Sequence, residues 1–214
     1  MVEYLCPLAT AAEIGDTEKV RVLLKNKTDV NADNGKLLYF AARNGHADTV
    51  RVLLDHKANV HASEDESLRW AAFHGHTNTV RVLLAHKADV HACDSDGNPD
   101  EALRDAANND QMDTLRVLLE HKANVHACGS CSPDWGNKPD VALRFAMEYG
   151  FVEVVRLLLQ YNADTQLVTT EFTSRHLFTT PANALNSATR TTFASTTTDR
   201  VGLCLRIGLR TLRL

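Results

Sequence analysis

The chain has 214 residues, 44% of them hydrophobic, with 23 Lys and Arg against 27 Asp and Glu. Residues 1–164 hold 17 basic against 25 acidic side chains, a net of −8, and residues 165–214 hold 6 against 2, a net of +4. An acidic main segment argues against binding a phosphate backbone, which needs clustered Lys and Arg, and favours a protein partner with a basic surface; no apolar run reaches the roughly 18 residues of a membrane span.

The opening residues carry Glu3 where a secretory leader would need positive charge, and Leu5, Cys6 and Leu8 fit the first of a series of repeats. Five cysteines, an odd number scattered through a chain of this size, read as reduced thiols. Together these features lead us to expect a cytoplasmic protein, with the nucleus as the other compartment.

A five-residue string, Val-Arg-Val-Leu-Leu or a near copy, stands at residues 20–24, 50–54, 80–84, 115–119 and 155–159. Counted between the equivalent Leu8, Leu38, Leu68, Leu103 and Leu143, the steps are 30, 30, 35 and 40 residues, so the last two junctions carry insertions. A period of this length predicts a stack of repeated units rather than one core around a closed pocket. The units run about 5–36, 37–66, 67–100, 101–140 and 141–164.

Each unit predicts two helices. The first is short and in the first four units carries an Ala-Ala pair, as at Ala41 and Ala42, with so little bulk that neighbouring helices can approach closely. Gly15, Gly45, Gly75 and Gly150 then end it in the left-handed conformation, with Asp110 in that place in the fourth unit. In the second helix Val50, Leu53 and Leu54, at i, i+3 and i+4, share one apolar face, while Arg51 and Asp55 point elsewhere. Arg21, Arg51, Arg116 and Arg156 follow an acid by three residues and predict solvated ion pairs on the outside of the stack.

The run Ala41-Ala42-Arg43-Asn44-Gly45-His46, then residues 50–54, then Ala58-Asn59-Val60, with counterparts in every unit, resembles the ankyrin-repeat family from about residue 5 to 164. The resemblance implies an all-α solenoid of helix-turn-helix units. Three departures stand out: the family's Thr-Pro-Leu-His opening survives only as Cys6-Pro7-Leu8-Ala9; the 30-residue steps imply shortened hairpins; and Lys27, Lys57, Lys87, Lys122 and Asn162 replace the glycine that closes the second helix. Each of those five must then enter a left-handed conformation at a cost of about 1 kcal/mol.

The resemblance also implies a protein-interaction scaffold, without catalysis or cofactor, binding its partner along a concave face of hairpin tips and first-helix ends. On this chain those positions are Arg43 and Asn44, Phe73 and His74, Asn108 and Asn109, Glu148 and Tyr149. The loops add Glu64, Asp65, Glu66, Asp94, Asp96, Asp100 and Glu101 as an acidic rim. Trp70 is either an aromatic anchor on that face or a core residue, because Phe40 and Phe145 share its column.

No phosphate loop, nucleophile elbow or paired carboxylates suggest an enzyme. The competing reading is a metal-binding or redox module: Cys128 and Cys131 have the spacing that lets two thiolates reach one zinc, with Cys93 and His126 as further candidate ligands. Against it stands the presence of a single Cys-x-x-Cys pair. The columns of histidines, one per unit at His46 and His76, His56, His86 and His121, and His61, His91 and His126, are read as products of repeat copying.

From residue 165 the text changes to a Thr- and Ser-rich tail of low complexity, for which disorder is the first expectation. Its opening part, residues 165 to about 180 with Leu167, Val168, Phe172, Leu177 and Phe178, is expected to fold back as a cap on the apolar fifth unit. The protein is expected to be monomeric.

Overall fold

The structure, a computed structural model, describes residues 7–26, 28–93, 97–128, 139–164 and 167. Ten α-helices form among them, and no strand. They fall into five pairs: α1 (Pro7–Ile14) with α2 (Thr17–Lys25), α3 (Lys36–Arg43) with α4 (Ala47–Asp55), α5 (Glu66–Phe73) with α6 (Thr77–Ala85), α7 (Glu101–Asn108) with α8 (Met112–Glu120), and α9 (Val141–Tyr149) with α10 (Val152–Gln160). The odd-numbered helices pack in succession as one row and the even-numbered as a second, so the chain is an all-α solenoid of five units. No helix among the described residues is long and apolar enough to cross a membrane.

Small side chains set the spacing of the first row. Ala11, Ala12, Ala41, Ala42, Ala71, Ala72, Ala106 and Ala107 are completely buried, and any longer side chain there would push neighbouring units apart. In the second row Val50, Leu53 and Leu54 are buried as their spacing predicts, but so is Val52. The apolar stripe is wider than one helix face because α4 is packed by α2 and α6 as well as by α3. Val22, the counterpart of Val52 in the first unit, has no preceding unit among the described residues and is 57% exposed.

Turn chemistry follows the sequence closely. Gly15, Gly45, Gly75 and Gly150 take φ between 73° and 79°, and Asp110 joins them at 57°. Lys57, Lys87, Lys122 and Asn162 sit at 68° to 70°, the left-handed closure expected of them; Lys27 lies outside the described residues. The shortened junctions are tight turns: a 3-10 turn at Ala32–Gly35 before α3, and three successive left-handed residues, Ser63, Glu64 and Asp65, before α5. Three such residues in a row cost on the order of 1–2 kcal/mol each, and the inter-unit hydrogen bonds described below hold them there. Of the expected cap, Leu167 packs half-buried against the core; Val168, Phe172, Leu177 and Phe178 lie outside the described residues.

Candidate functional site

Two acids of the expected rim belong to the framework. Asp65 and Asp100 are buried, as is Asp140 at the same place before the fifth unit, and each stands at the N-cap of a first helix with φ near 57°. One carboxylate oxygen accepts a hydrogen bond from Nδ1 of the histidine that closes the preceding turn: His61 to Asp65 at 3.0 Å, His91 to Asp100 at 2.9 Å, His126 to Asp140 at 2.8 Å. The carboxylates also accept a backbone N–H from the next unit: Asp89 N to Asp65 at 3.0 Å, Asn124 N to Asp100 at 2.7 Å and Asp164 N to Asp140 at 3.4 Å. A carboxylate that answers both groups can be buried without an orphaned charge. At the first junction Asn31 does this work alone, accepting from Asn59 N at 2.7 Å and donating to Lys57 O at 3.1 Å.

The same latches occupy one nitrogen of His126. Cys93 is exposed and Cys128 half-buried, both as free thiols, and Cys131 lies outside the described residues. Among the described residues no three metal-type side chains gather.

At the inter-helix turns the second, third and fourth units each lay a side chain over the glycine of the unit before. A Cβ on Gly45 would come within 2.6 Å of the His76 ring, and one on Gly15 would meet the His46 ring in the same way. His46 Nε2 lies 3.0 Å from Glu13 O and His76 Nε2 lies 3.0 Å from Arg43 O, while Gln111 fills the equivalent place over Gly75. Burial pushes the His76 imidazole below its ordinary 6.5; the bond to the Arg43 carbonyl opposes this, and the His74 and His46 rings add to it. The folded state therefore binds this proton less readily than the unfolded chain. The contribution of His76 to stability is complete above pH 6.5 and is lost as the pH falls through the depressed folded value. Replacing it as the fourth unit does, His76→Gln, should flatten the pH dependence of the melting temperature below 6.5 relative to wild type.

A hydroxyl ladder ties the second helices together and misses one rung. Thr17 bonds Thr49 at 2.8 Å and Thr77 bonds Thr114 at 2.9 Å, each across a unit boundary. Between them Thr79 is fully buried and its hydroxyl has no partner, because position 47, where the first and third units supply Thr17 and Thr77, is Ala47. Ala47→Thr should raise the unfolding free energy by about 0.5–1.5 kcal/mol. The gain should vanish in a Thr79→Val background, as measured by urea unfolding.

The densest group of chemistry outside the core lies on the first helices of the second and third units. Trp70 is half-buried on α5, not a core residue. Its ring meets Tyr39 edge-on at 6.3 Å, Phe73 at 5.4 Å and His74 in a stacked arrangement at 5.7 Å. The guanidinium carbons of Arg43 and Arg69 lie 5.2 and 5.1 Å from the ring centroid, within cation–π range. Further bonds order the cluster: Trp70 Nε1 donates to Glu66 at 3.2 Å, Arg43 to the Tyr39 hydroxyl at 3.2 Å and Arg69 to Glu101 at 2.8 Å. Held aromatic rings lose little further freedom when a partner covers them, which is what a binding anchor needs.

The remaining expected positions spread around this cluster. Arg43, Asn44 and His74 are exposed, Phe73 is half-buried, and Asn44 donates to Glu13 O at 2.9 Å across the unit boundary. Asn108 and Asn109 are half-buried, with Asn109 bonded to Asp105 O at 2.8 Å. Glu148 is exposed; Tyr149 is 53% exposed and stacks on Phe151 at 5.8 Å, well along the stack from Trp70. Glu64 is exposed, and Asp94 and Asp96 lie outside the described residues. Tyr39 and Arg69 join this cluster without being among the expected positions; both follow a framework leucine, Leu38 and Leu68, where the family pattern has His.

On the opposite side, Arg21–Glu18, Arg51–Asp48 and Arg156–Glu153 close at 3.6, 2.9 and 3.1 Å, three of the four pairs the spacing suggested. Exposed pairs of this kind contribute less than about 1 kcal/mol each.

The family model for ankyrin repeats (3 copies) matches residues 3–64 and 68–169, well over half of the chain. The chain belongs to the ankyrin-repeat family, whose members generally act as protein-interaction modules and are typically non-catalytic. No curated protein matches it.

Proposed function

We propose that the protein is a non-catalytic interaction scaffold that binds a protein partner across its first helices and hairpin turns, centred on Trp70 in the second and third units. The observation that carries this reading is the Trp70 cluster, an aromatic surface fixed by neighbours from two units and flanked by exposed Arg43, Asn44 and His74. Trp, Tyr and Arg are the residues that dominate interface energies, and here all three meet at one place. Glu64, Asn108, Asn109, Glu148 and Tyr149 extend the same face and would contribute the surrounding contacts.

The test is capture by immobilised wild-type protein beside Trp70→Ala and, as a control on the second-helix side, Arg116→Glu. Partners identified by mass spectrometry should be lost with Trp70→Ala and kept with Arg116→Glu, while both variants keep the single cooperative unfolding transition of a folded stack. Loss confined to the Arg116 variant would place the interface on the other row of helices.

A further inference from the structure

We infer that the segment recognised at the Trp70 face is an acidic one carrying an apolar or aromatic anchor, rather than a basic one; the inference rests on the interaction reading above. The net charge of the repeats suggests a basic partner, but the structure removes most of that argument locally. Asp65 and Asp100 are buried in the latches and Glu101 is bonded to Arg69, which leaves exposed Glu64 and half-buried Glu66, held by the Trp70 indole N–H, as the acids of the turn before α5. The cations on α3 are differently placed. Lys36 and Arg43 are both exposed, and neither has a carboxylate partner among the described residues.

Their spacing gives the binding face its shape. Lys36, Tyr39, Phe40 and Arg43 stand at i, i+3, i+4 and i+7 and so lie along one face of α3, with a cation at each end and two aromatic rings between. Beside the rings, between α3 and the turn before α5, a cleft of about 280 Å³ is lined by Lys36, Tyr39, Phe40, Ser63 and Glu66 among others. That volume admits one large apolar side chain. Seven residues of helix rise span about 10 Å, and an extended peptide covers that distance in about three residues. Alternate side chains of an extended segment face the same way, so the complementary segment places carboxylates about four residues apart, within reach of the long Lys36 and Arg43 side chains, with an apolar or aromatic side chain midway between them that enters the cleft. Its carboxylates answer Lys36 and Arg43, and its neighbouring surface covers Trp70.

The probe is a displayed library of random twelve-residue peptides selected on the full-length protein, followed by anisotropy titration of the selected peptides made synthetically. Peptides with an aromatic or large apolar residue between two acids should be enriched. Their affinity should fall roughly tenfold or more in the Lys36→Glu/Arg43→Glu variant and in Trp70→Ala, and should weaken with added salt. Both sets of positions lie outside the fully buried core, so a cooperative melt, at a lower temperature where the Trp70 contacts are lost, will show that the fold is retained. Enrichment of basic or uncharged peptides, indifference to the charge reversal, or no enrichment at all would overturn the inference. If such peptides still lose affinity with Trp70→Ala, the first-helix face survives as the binding surface and only its chemistry is wrong. If they ignore Trp70 as well, that face is not the site.

Discussion

Leu83→Ala should lower the unfolding free energy by about 2–5 kcal/mol. Leu83 is completely buried in α6, which packs against α4 on one side and α8 on the other, and truncation leaves a cavity that rigid neighbouring helices cannot fill. The position matters as well as the chemistry: a repeat array is stabilised by its unit interfaces, and a defect in the third unit weakens two of them. Arg81, two residues earlier on the same helix, is exposed, and where the four other units carry an acid three residues before this arginine it has Asn78. Arg81→Ala should therefore cost under about 1 kcal/mol. Urea unfolding of the two variants beside wild type makes the comparison, and equal losses would mean that the buried face of α6 has been assigned wrongly.

Asp100→Ala should cost about 2–3 kcal/mol although it removes no apolar contact. The side chain is 2% exposed and holds two groups at once: the His91 ring within its own turn and the Asn124 backbone N–H of the next unit. Alanine leaves that amide without its partner and, at φ 56°, adds left-handed strain that aspartate and asparagine tolerate better. Asp100→Asn, which keeps an acceptor and tolerates the same backbone, should lose markedly less. A melting temperature for Asp100→Ala equal to that of wild type would show that the latch does not hold adjacent units together.

The repeats were legible because their packing is repeated. Every unit must bury the same leucines and keep its helices close through the same alanines, so the pattern recurs at readable intervals. The left-handed lysines were legible for a related reason, since a helix end that lacks its glycine still has to close. The latches were not. Charged loop residues default to solvent, and the separation from His to Asp is 4 residues at Asp65, 9 at Asp100 and 14 at Asp140, because the insertions lie between them. A fixed spacing does exist on the other side, as each of these acids stands three residues before a framework leucine: Leu68, Leu103 and Leu143. Trp70 was ambiguous in sequence because its column contains Phe40 and Phe145. What settles its half-buried place is a pair of cations, Arg43 from the preceding unit and Arg69 beside it, neither of which a column of aromatics reveals.

Hydrogen–deuterium exchange of the full-length protein, alone and saturated with a captured partner, bears most directly on where that partner sits. Binding through the first-helix face should slow exchange in residues 36–44 and 61–74, covering α3, α5 and the turn between the units, and leave α4, α6 and α8 as they were. Protection confined to those second helices, with residues 36–44 and 61–74 unchanged, would contradict it.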